Sequence, residues 1–200
     1  MTKNLTSSQT RIILASSSRY RRIQLQQLQL NFEAVSPSID ETPLMSEPAA
    51  TLASRLAANK GLTVSRSSDT PAVIIASDQT ASLGDTLLGK PGNEPRAIEQ
   101  LQACSGHTVV FHTALWVSNG IEPALTDTVD TIVKFRKLSK QQVTSYIKKE
   151  QPLDCAGSFK CEGLGISLFE SIQSEDPSAL IGLPLIRLTS FLNHFGIHVI

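Results

Sequence analysis

A single carboxylate, Asp78, stands at the end of the apolar run Val73–Gln79. A run of this length, with β-branched residues at its centre, predicts a strand that is covered on both faces. A carboxylate at the end of such a strand could act as a base toward water or as a ligand of a metal ion. Lys90 follows shortly afterwards, between a glycine and a proline that would hold it on a rigid turn. Together the acid and the lysine indicate phosphate chemistry.

A second polar cluster runs from Ser16 to Arg22, between a predicted strand and a predicted helix, and contains three serines, a tyrosine and three arginines. Hydroxyl groups, guanidinium groups and the backbone N–H groups of a helix N-terminus all suit phosphate oxygens. The cluster is not a Walker A loop, because the chain has no GxxxxGK[ST] motif. A helix cap followed by solvated arginines is the alternative interpretation, and the local pattern leaves both open.

Three further charged residues have both a functional and an ordinary interpretation. Glu41 follows the second predicted strand and could bind a divalent cation or simply face water at a turn. Lys60 lies near the end of a predicted helix, where a cation also complements the helix dipole. Glu162 lies in a loop that contains several glycines, and a single loop glutamate is usually solvated. On spacing alone the ordinary interpretation is preferred for Glu41 and Glu162, and the two interpretations of Lys60 are equally good.

Composition limits the classes of protein that fit this chain. The 200 residues are 40% hydrophobic, and 18 basic residues balance 18 acidic ones to give a formal net charge of zero. A chain without basic excess lacks the charge pattern of a general nucleic-acid-binding protein. No apolar run approaches the roughly 20 residues that a membrane span needs, and the polar N-terminus does not resemble a signal peptide. The three cysteines predict reduced thiols, and we expect a cytoplasmic protein.

The order of predicted elements indicates a mixed α/β sheet. Strands and helices alternate in the first half, and two apolar segments in the middle, 107–117 and 126–135, pair as an antiparallel hairpin. Helical spacing predicts helices over 47–65, 94–104 and 139–149, and an apolar helix within 179–195 that is broken early by Gly182-Leu-Pro184. A short strand-like segment is predicted at 166–169. Residues 1–10 are predicted to be a disordered leader, and residues 11–200 a single domain.

Taken together, these segments resemble the Maf family of nucleotide pyrophosphatases over residues 11 to about 196. Each motif is weak alone, but their order and spacing are specific: Ile13-Leu-Ala-Ser-Ser-Ser18 with Arg21, Asp40-Glu-Thr-Pro43, Ala57-Ala-Asn-Lys60, Ser77-Asp-Gln79, Gly89-Lys-Pro91, Ala156-Gly157 and Gly182-Leu-Pro184. Segments 149–153 and 155–163 resemble the YceF branch, which is associated with hydrolysis of 7-methyl-GTP to 7-methyl-GMP and diphosphate. The resemblance implies a twisted sheet with two lobes and a cleft between them, similar to the inosine-triphosphatase type.

The resemblance also implies a role for each candidate residue. Asp78 would be the catalytic proton acceptor, and with Glu41 it would hold a divalent cation, Mg²⁺ or Mn²⁺. The residues implied to bind phosphate are Ser16, Ser18, Arg21, Lys60 and Lys90. The residues implied to choose the base are Tyr20, Gln79 and Glu162. The partner would be a small nucleotide rather than a nucleic acid or a membrane, and a homodimer is possible.

One departure from the family pattern lies in the phosphate loop, where Arg19 stands in place of the usual proline. Two other functions remain open at this point. The first is the related branch of the family that acts on dTTP and UTP. The second is a nucleotide-binding regulator of cell division without catalytic activity. Intact Asp78, Glu41 and Lys90 argue against the second function, and Tyr20 with Glu162 argues against the first.

Overall fold

In the computed structural model the described residues are 10–200, so the leader predicted at residues 1–10 lies almost entirely outside them. The strands are β1 Ile12–Ala15, β2 Glu33–Val35, β3 Val73–Leu83, β4 Thr86–Leu88, β5 Thr108–Ser118, β6 Leu125–Phe135 and β7 Phe169–Ser174. They form a seven-stranded mixed sheet of order β2-β1-β3-β5-β6-β7, with β4 paired to β3. β1 is parallel to β2 and to β3, and the remaining pairs are antiparallel.

Within residues 10–200, five α-helices pack on this sheet, and the starts of three of them follow local capping chemistry. Ser18, Asn93 and Ser139 each cap a helix by accepting a hydrogen bond from a backbone N–H group in its first turn, and Ser139 forms a full capping box with Gln142. No helix within residues 10–200 is both long and apolar enough to span a membrane. The helices are α1 Arg19–Gln26, α2 Ala49–Arg66, α3 Glu94–Cys104, α4 Lys140–Glu150 and α5 Leu185–His194.

The long central strands pass through separate hydrophobic cores. Toward the start of β3, alternate residues face two clusters on opposite sides of the sheet, one with α5 and one with α2. The other end of β3 enters a third cluster with α3 and α4, where Phe111, Phe135, Phe159 and Phe169 pack edge to face. Residues near the middle of β3 therefore lie between the cores.

Two predicted strand boundaries are wrong. β3 does not end at Asp78 but continues to Leu83, because its pairing with β5 runs unbroken from Ile74–Ser118 to Ser82–Val110. The strand-like segment at 166–169 is instead a 3₁₀ turn, Leu164–Leu168, and the edge strand β7 begins only at its end. Gly165 allows this turn, since a β-carbon there would lie 2.2 Å from the carbonyl oxygen of Lys160.

Candidate active site

A cleft of about 450 Å³ lies where the cores meet, and all ten predicted site residues line it. Such a volume suits a nucleotide-sized ligand. The residues come from the β1–α1 connection, the first turn of α1, the segment before α2, α2 itself, β3, the turn after β4 and the loop after α4. The roles of these side chains remain predictions, but the fold brings all of them together: Ser16, Ser18, Tyr20, Arg21, Glu41, Lys60, Asp78, Gln79, Lys90 and Glu162.

The centre of the cleft is an ammonium group held between two carboxylates. Lys60 Nζ lies 2.5 Å from Asp78 Oδ1 and 2.6 Å from Glu41 Oε1. Lys60 and Asp78 are only 7% and 6% exposed, whereas the Glu41 side chain is 49% exposed. Lys60 lies well inside α2 rather than in its last turn, so the helix-dipole explanation of this residue is wrong. The ion pair with Lys60 explains how a buried acid is tolerated in the middle of β3.

The charges around this cluster act on one another. Partial burial opposes the charge of Glu41, but the hydrogen bond and charge of Lys60, with Lys90 and Arg21, outweigh it and lower the pKa of the carboxyl group. Burial lowers the pKa of the Arg21 guanidinium, while the charges of Asp78 and Glu41 oppose that shift. This part of the cleft therefore combines two acids, Glu41 and Asp78, with the cations of Lys60, Lys90 and Arg21, which suits a polyanionic ligand that would contact the cations directly.

The serine–arginine cluster combines a helix cap with one arginine that turns inward. Ser18 caps α1 by accepting from the Arg21 N–H, and its own N–H donates to Ser16 Oγ at 3.1 Å. Arg21 Nε donates to the carbonyl oxygen of Gly182 at 2.8 Å, whereas Arg22 is exposed. The alternative interpretation, a helix cap followed by solvated arginines, is therefore right for Ser18 and Arg22 but not for Arg21.

Gln79 is held in one orientation on the face of β3 opposite to Asp78. Its Nε2 donates to Thr113 Oγ1 and to the carbonyl oxygens of Ala179 and Leu180, at 2.9, 2.9 and 3.1 Å. Because both carbonyls can only accept, the nitrogen must face them. The side-chain oxygen of Gln79 is then the group left for a ligand in the cleft.

Tyr20 of α1 also lines the cleft, together with Cys155, Cys161 and Glu162 of the loop after α4. Burial raises the pKa of the Tyr20 phenol, although a hydrogen bond from Arg19 opposes the shift. Cys155 and Cys161 are free thiols, as predicted, and burial raises the pKa of each to about 12. Thiolate chemistry at neutral pH is therefore disfavoured in this part of the cleft.

Sequence reasoning missed two residues that shape the cleft. Lys160 lines it, and its ammonium group donates to the carbonyl oxygen of Glu150 at 2.8 Å. Gly182, with φ of 124°, presents a carbonyl oxygen that accepts from both Arg21 and Ser77. Both residues lie within motifs that carry the family resemblance, and that membership was the one available signal.

For a divalent metal, the cleft offers two carboxylates that lie close together around Lys60, those of Glu41 and Asp78. Within residues 10–200 no group of three or more His, Cys, Asp or Glu side chains is arranged to hold a metal ion. Two carboxylates fit Mg²⁺ or Mn²⁺ when substrate phosphates and water complete the coordination. The chemistry of the donors therefore fits, although Lys60 lies between them in this structure.

Comparisons with known proteins agree with this geometry. A family model described as Maf-like protein matches residues 11–195. A protein named 7-methyl-GTP pyrophosphatase from Saccharophagus degradans is 52% identical over 184 residues, which cover 92% of this chain and 93% of the relative. One of the same name from Bordetella avium is 48% identical over 187 residues, or 94% of each chain. A HAM1 protein from Coxiella burnetii, at 15% identity and a TM-score of 0.52 over 92% of this chain and 99% of its own, shares the fold and confirms the predicted mixed α/β class.

Proposed function

The chain belongs to the Maf family, and from this premise we propose that it hydrolyses 7-methyl-GTP to 7-methyl-GMP and diphosphate. The relatives named 7-methyl-GTP pyrophosphatase support this substrate. The observation that carries the proposal is the cleft itself. It places the Asp78–Lys60–Glu41 cluster and Arg21 within one cavity with the aromatic ring of Tyr20. This combination suits a triphosphate at one end and a base at the other.

Asp78 is the proposed proton acceptor of the reaction. It takes a proton from water, and the water oxygen attacks the α-phosphorus. The bond from that phosphorus to the oxygen bridging to the β-phosphorus breaks, and diphosphate leaves with the electron pair. Lys60 Nζ donates to Asp78 Oδ1 at 2.5 Å, and this contact holds the carboxylate in position in the cleft.

The proposed phosphate ligands surround this point. Arg21 uses Nε to contact Gly182, which leaves its terminal nitrogens toward the cleft. The Ser18 hydroxyl accepts from the backbone in its cap, and its own proton is available to a phosphate oxygen. Lys90 is exposed on the rim and makes no ion pair within residues 10–200, so its charge is available to the ligand.

Glu41 and Asp78 are the proposed ligands of a divalent cation. When bound, Mg²⁺ or Mn²⁺ would neutralise charge on the triphosphate and on the leaving diphosphate. Lys60 would have to leave its place between the carboxylates for both to hold the ion. Its ammonium group would then be free to contact phosphate oxygens, which is the role that the family resemblance implies for it.

We propose that the nucleobase of the substrate contacts Tyr20, Gln79 and Glu162. Stacking of a cationic methylated guanine on an aromatic ring adds a cation–π attraction. Because Gln79 uses its NH₂ group on Thr113 and two backbone carbonyls, its oxygen and the Glu162 carboxylate both offer acceptors. Guanine presents N1–H and an exocyclic amine as donors to such acceptors. Thymine and uracil lack that amine, and this difference disfavours the dTTP and UTP branch.

Diphosphate release from a panel of 7-methyl-GTP, GTP, dTTP and UTP, each with Mg²⁺ or Mn²⁺, tests the proposal. We expect 7-methyl-GTP to be the best substrate and Asp78→Asn to lower kcat by about 100- to 10,000-fold. Asp130→Asn is a matched control, because Asp130 is exposed and contacts His112 outside the cleft. A preference for dTTP or UTP would assign the chain to the related branch, and no release from any nucleotide would favour the inactive regulator.

Three further points are part of this proposal. We place the protein in the cytoplasm, since all three cysteines are free thiols. We treat residues 11–200 as one functional unit, because a single sheet runs through the cores on both sides of the cleft. The homodimer stays a prediction.

A further inference from the structure

A cation already lies on the aromatic ring proposed to hold the base. Arg19 Cζ is 4.7 Å from the centroid of the Tyr20 ring, within the range of a cation–π contact. Arg19 Nη2 also donates a hydrogen bond of 2.7 Å to the Tyr20 phenol oxygen. Arg19 is exposed and makes no salt bridge within residues 10–200, so Tyr20 is its main partner. Both side chains line the cleft.

Resting on the proposed function, we propose that Arg19 is a specificity-determining residue that competes with the methylated base for the ring of Tyr20. A guanidinium group and a 7-methylguanine base are both planar cations, and both gain from the negative face of the same ring. The guanidinium group and the methylated base cannot occupy the same face of the Tyr20 ring together. If they lie on opposite faces, their positive charges repel. Unmethylated guanine is neutral, so Arg19 reduces only its contact area with the ring and does not repel it. Arg19 therefore lowers the preference for methylated over unmethylated guanine.

The position of Arg19 in the helix makes this inference testable without damage to the fold. Ser18 is the N-cap of α1, so Arg19 occupies the first helical position. That position tolerates proline, because its N–H has no partner within the helix and its φ suits the proline ring. Arg19→Ala and Arg19→Pro both remove the cation, and the second also restores the family pattern.

Calorimetric dissociation constants of 7-methyl-GMP and GMP provide the readout, because these products bind without turnover. We expect the affinity ratio of 7-methyl-GMP to GMP to rise about three- to fivefold in Arg19→Ala and Arg19→Pro. Arg22→Ala is the matched control, since Arg22 is an exposed arginine of the same helix that does not line the cleft. Its ratio should equal that of the wild type. In a Tyr20→Leu background, removal of Arg19 should no longer change the ratio.

Several results would overturn the inference. An unchanged or lower ratio in both Arg19 variants would do so. If the Arg19 variants bound both nucleotides equally more weakly, Arg19 would be a phosphate ligand instead. Failure of the wild type to bind either nucleotide would also contradict the inference. The proposed function fails separately, if 7-methyl-GTP releases no diphosphate, and the binding ratio can still be measured in that case.

Discussion

Removal of Lys60 should strongly destabilise the protein, because it leaves a buried carboxylate without its partner. Lys60 and Asp78 are 7% and 6% exposed and lie 2.5 Å apart. Loss of one member of such a pair costs about 3–5 kcal/mol. For Lys60→Met we therefore expect the free energy of unfolding to fall by about that amount, and the melting temperature by about 6–20 °C. Glu41 is half-exposed and should add little to the loss.

Urea unfolding followed by tryptophan fluorescence measures this loss. Trp116 is the one tryptophan of the chain, and it packs against α2 close to Lys60. The double variant Lys60→Met with Asp78→Asn should recover about 2 kcal/mol or more, because neither buried group is then charged. Lys90→Met, at an exposed lysine of the same cleft, should change stability by less than about 0.5 kcal/mol. A loss below about 1 kcal/mol for Lys60→Met, or no recovery in the double variant, would refute the reasoning.

Two predictions concern residues outside the cleft. The hydrogen bond from Arg55 lowers the pKa of Glu47 to about 2, from an ordinary value of 4.5, so this pair stabilises the fold above about pH 4.5 and loses its effect as pH falls toward 2. The difference in unfolding free energy between wild type and Arg55→Met should therefore shrink from pH 5 to pH 2.5, and a constant difference would contradict the assignment. A β-carbon at Gly61 would lie 2.1 Å from the Trp116 ring, so Gly61→Ala should cost about 1–3 kcal/mol in urea unfolding despite better helix propensity. Gly89→Ala, which meets no neighbouring atom, should be nearly neutral, and equal effects of the two changes would show that the close packing is not the cause.

Much of the fold could be predicted from the sequence, because its elements carry local signals. The helix predicted over 94–104 matches α3, and Ser139 caps α4 as its sequence pattern indicates. The edge strand β7 was missed because four of its six residues are exposed and it lacks the alternation of a half-buried strand. The end of β3 was misplaced for a different reason. A buried acid usually terminates an apolar strand, and the lysine that neutralises Asp78 lies 18 residues earlier, on another element.

The site could be assembled only through the family resemblance, since its contacts are distant in sequence. Gln79 is oriented by carbonyl groups that lie 100 and 101 residues further along the chain. No local pattern around Gln79 indicates which end of its amide faces the ligand. Likewise, the sequence shows Arg19 only as an extra cation in place of the family proline, whereas the structure places its guanidinium group over Tyr20. The sequence therefore indicated which polar residues line the cleft, but not how their side chains are oriented.

The pleat of β3 explains how one short segment can serve both halves of the proposed reaction. Neighbouring residues of a strand face opposite sides of the sheet, so Asp78 meets Lys60 of α2 while Gln79 meets Thr113 and the turn before α5. A slip of one residue in the β3–β5 register would turn each of these two side chains to the opposite face of the sheet. The contacts of Asp78 and those of Gln79 would then both be lost. The continuous pairing from Ile74 to Ser82 prevents that slip. Because the two side chains make separate contacts, we expect that the proposed base-binding side can change while the proposed reacting side is kept, and the role proposed for Arg19 would be one such change.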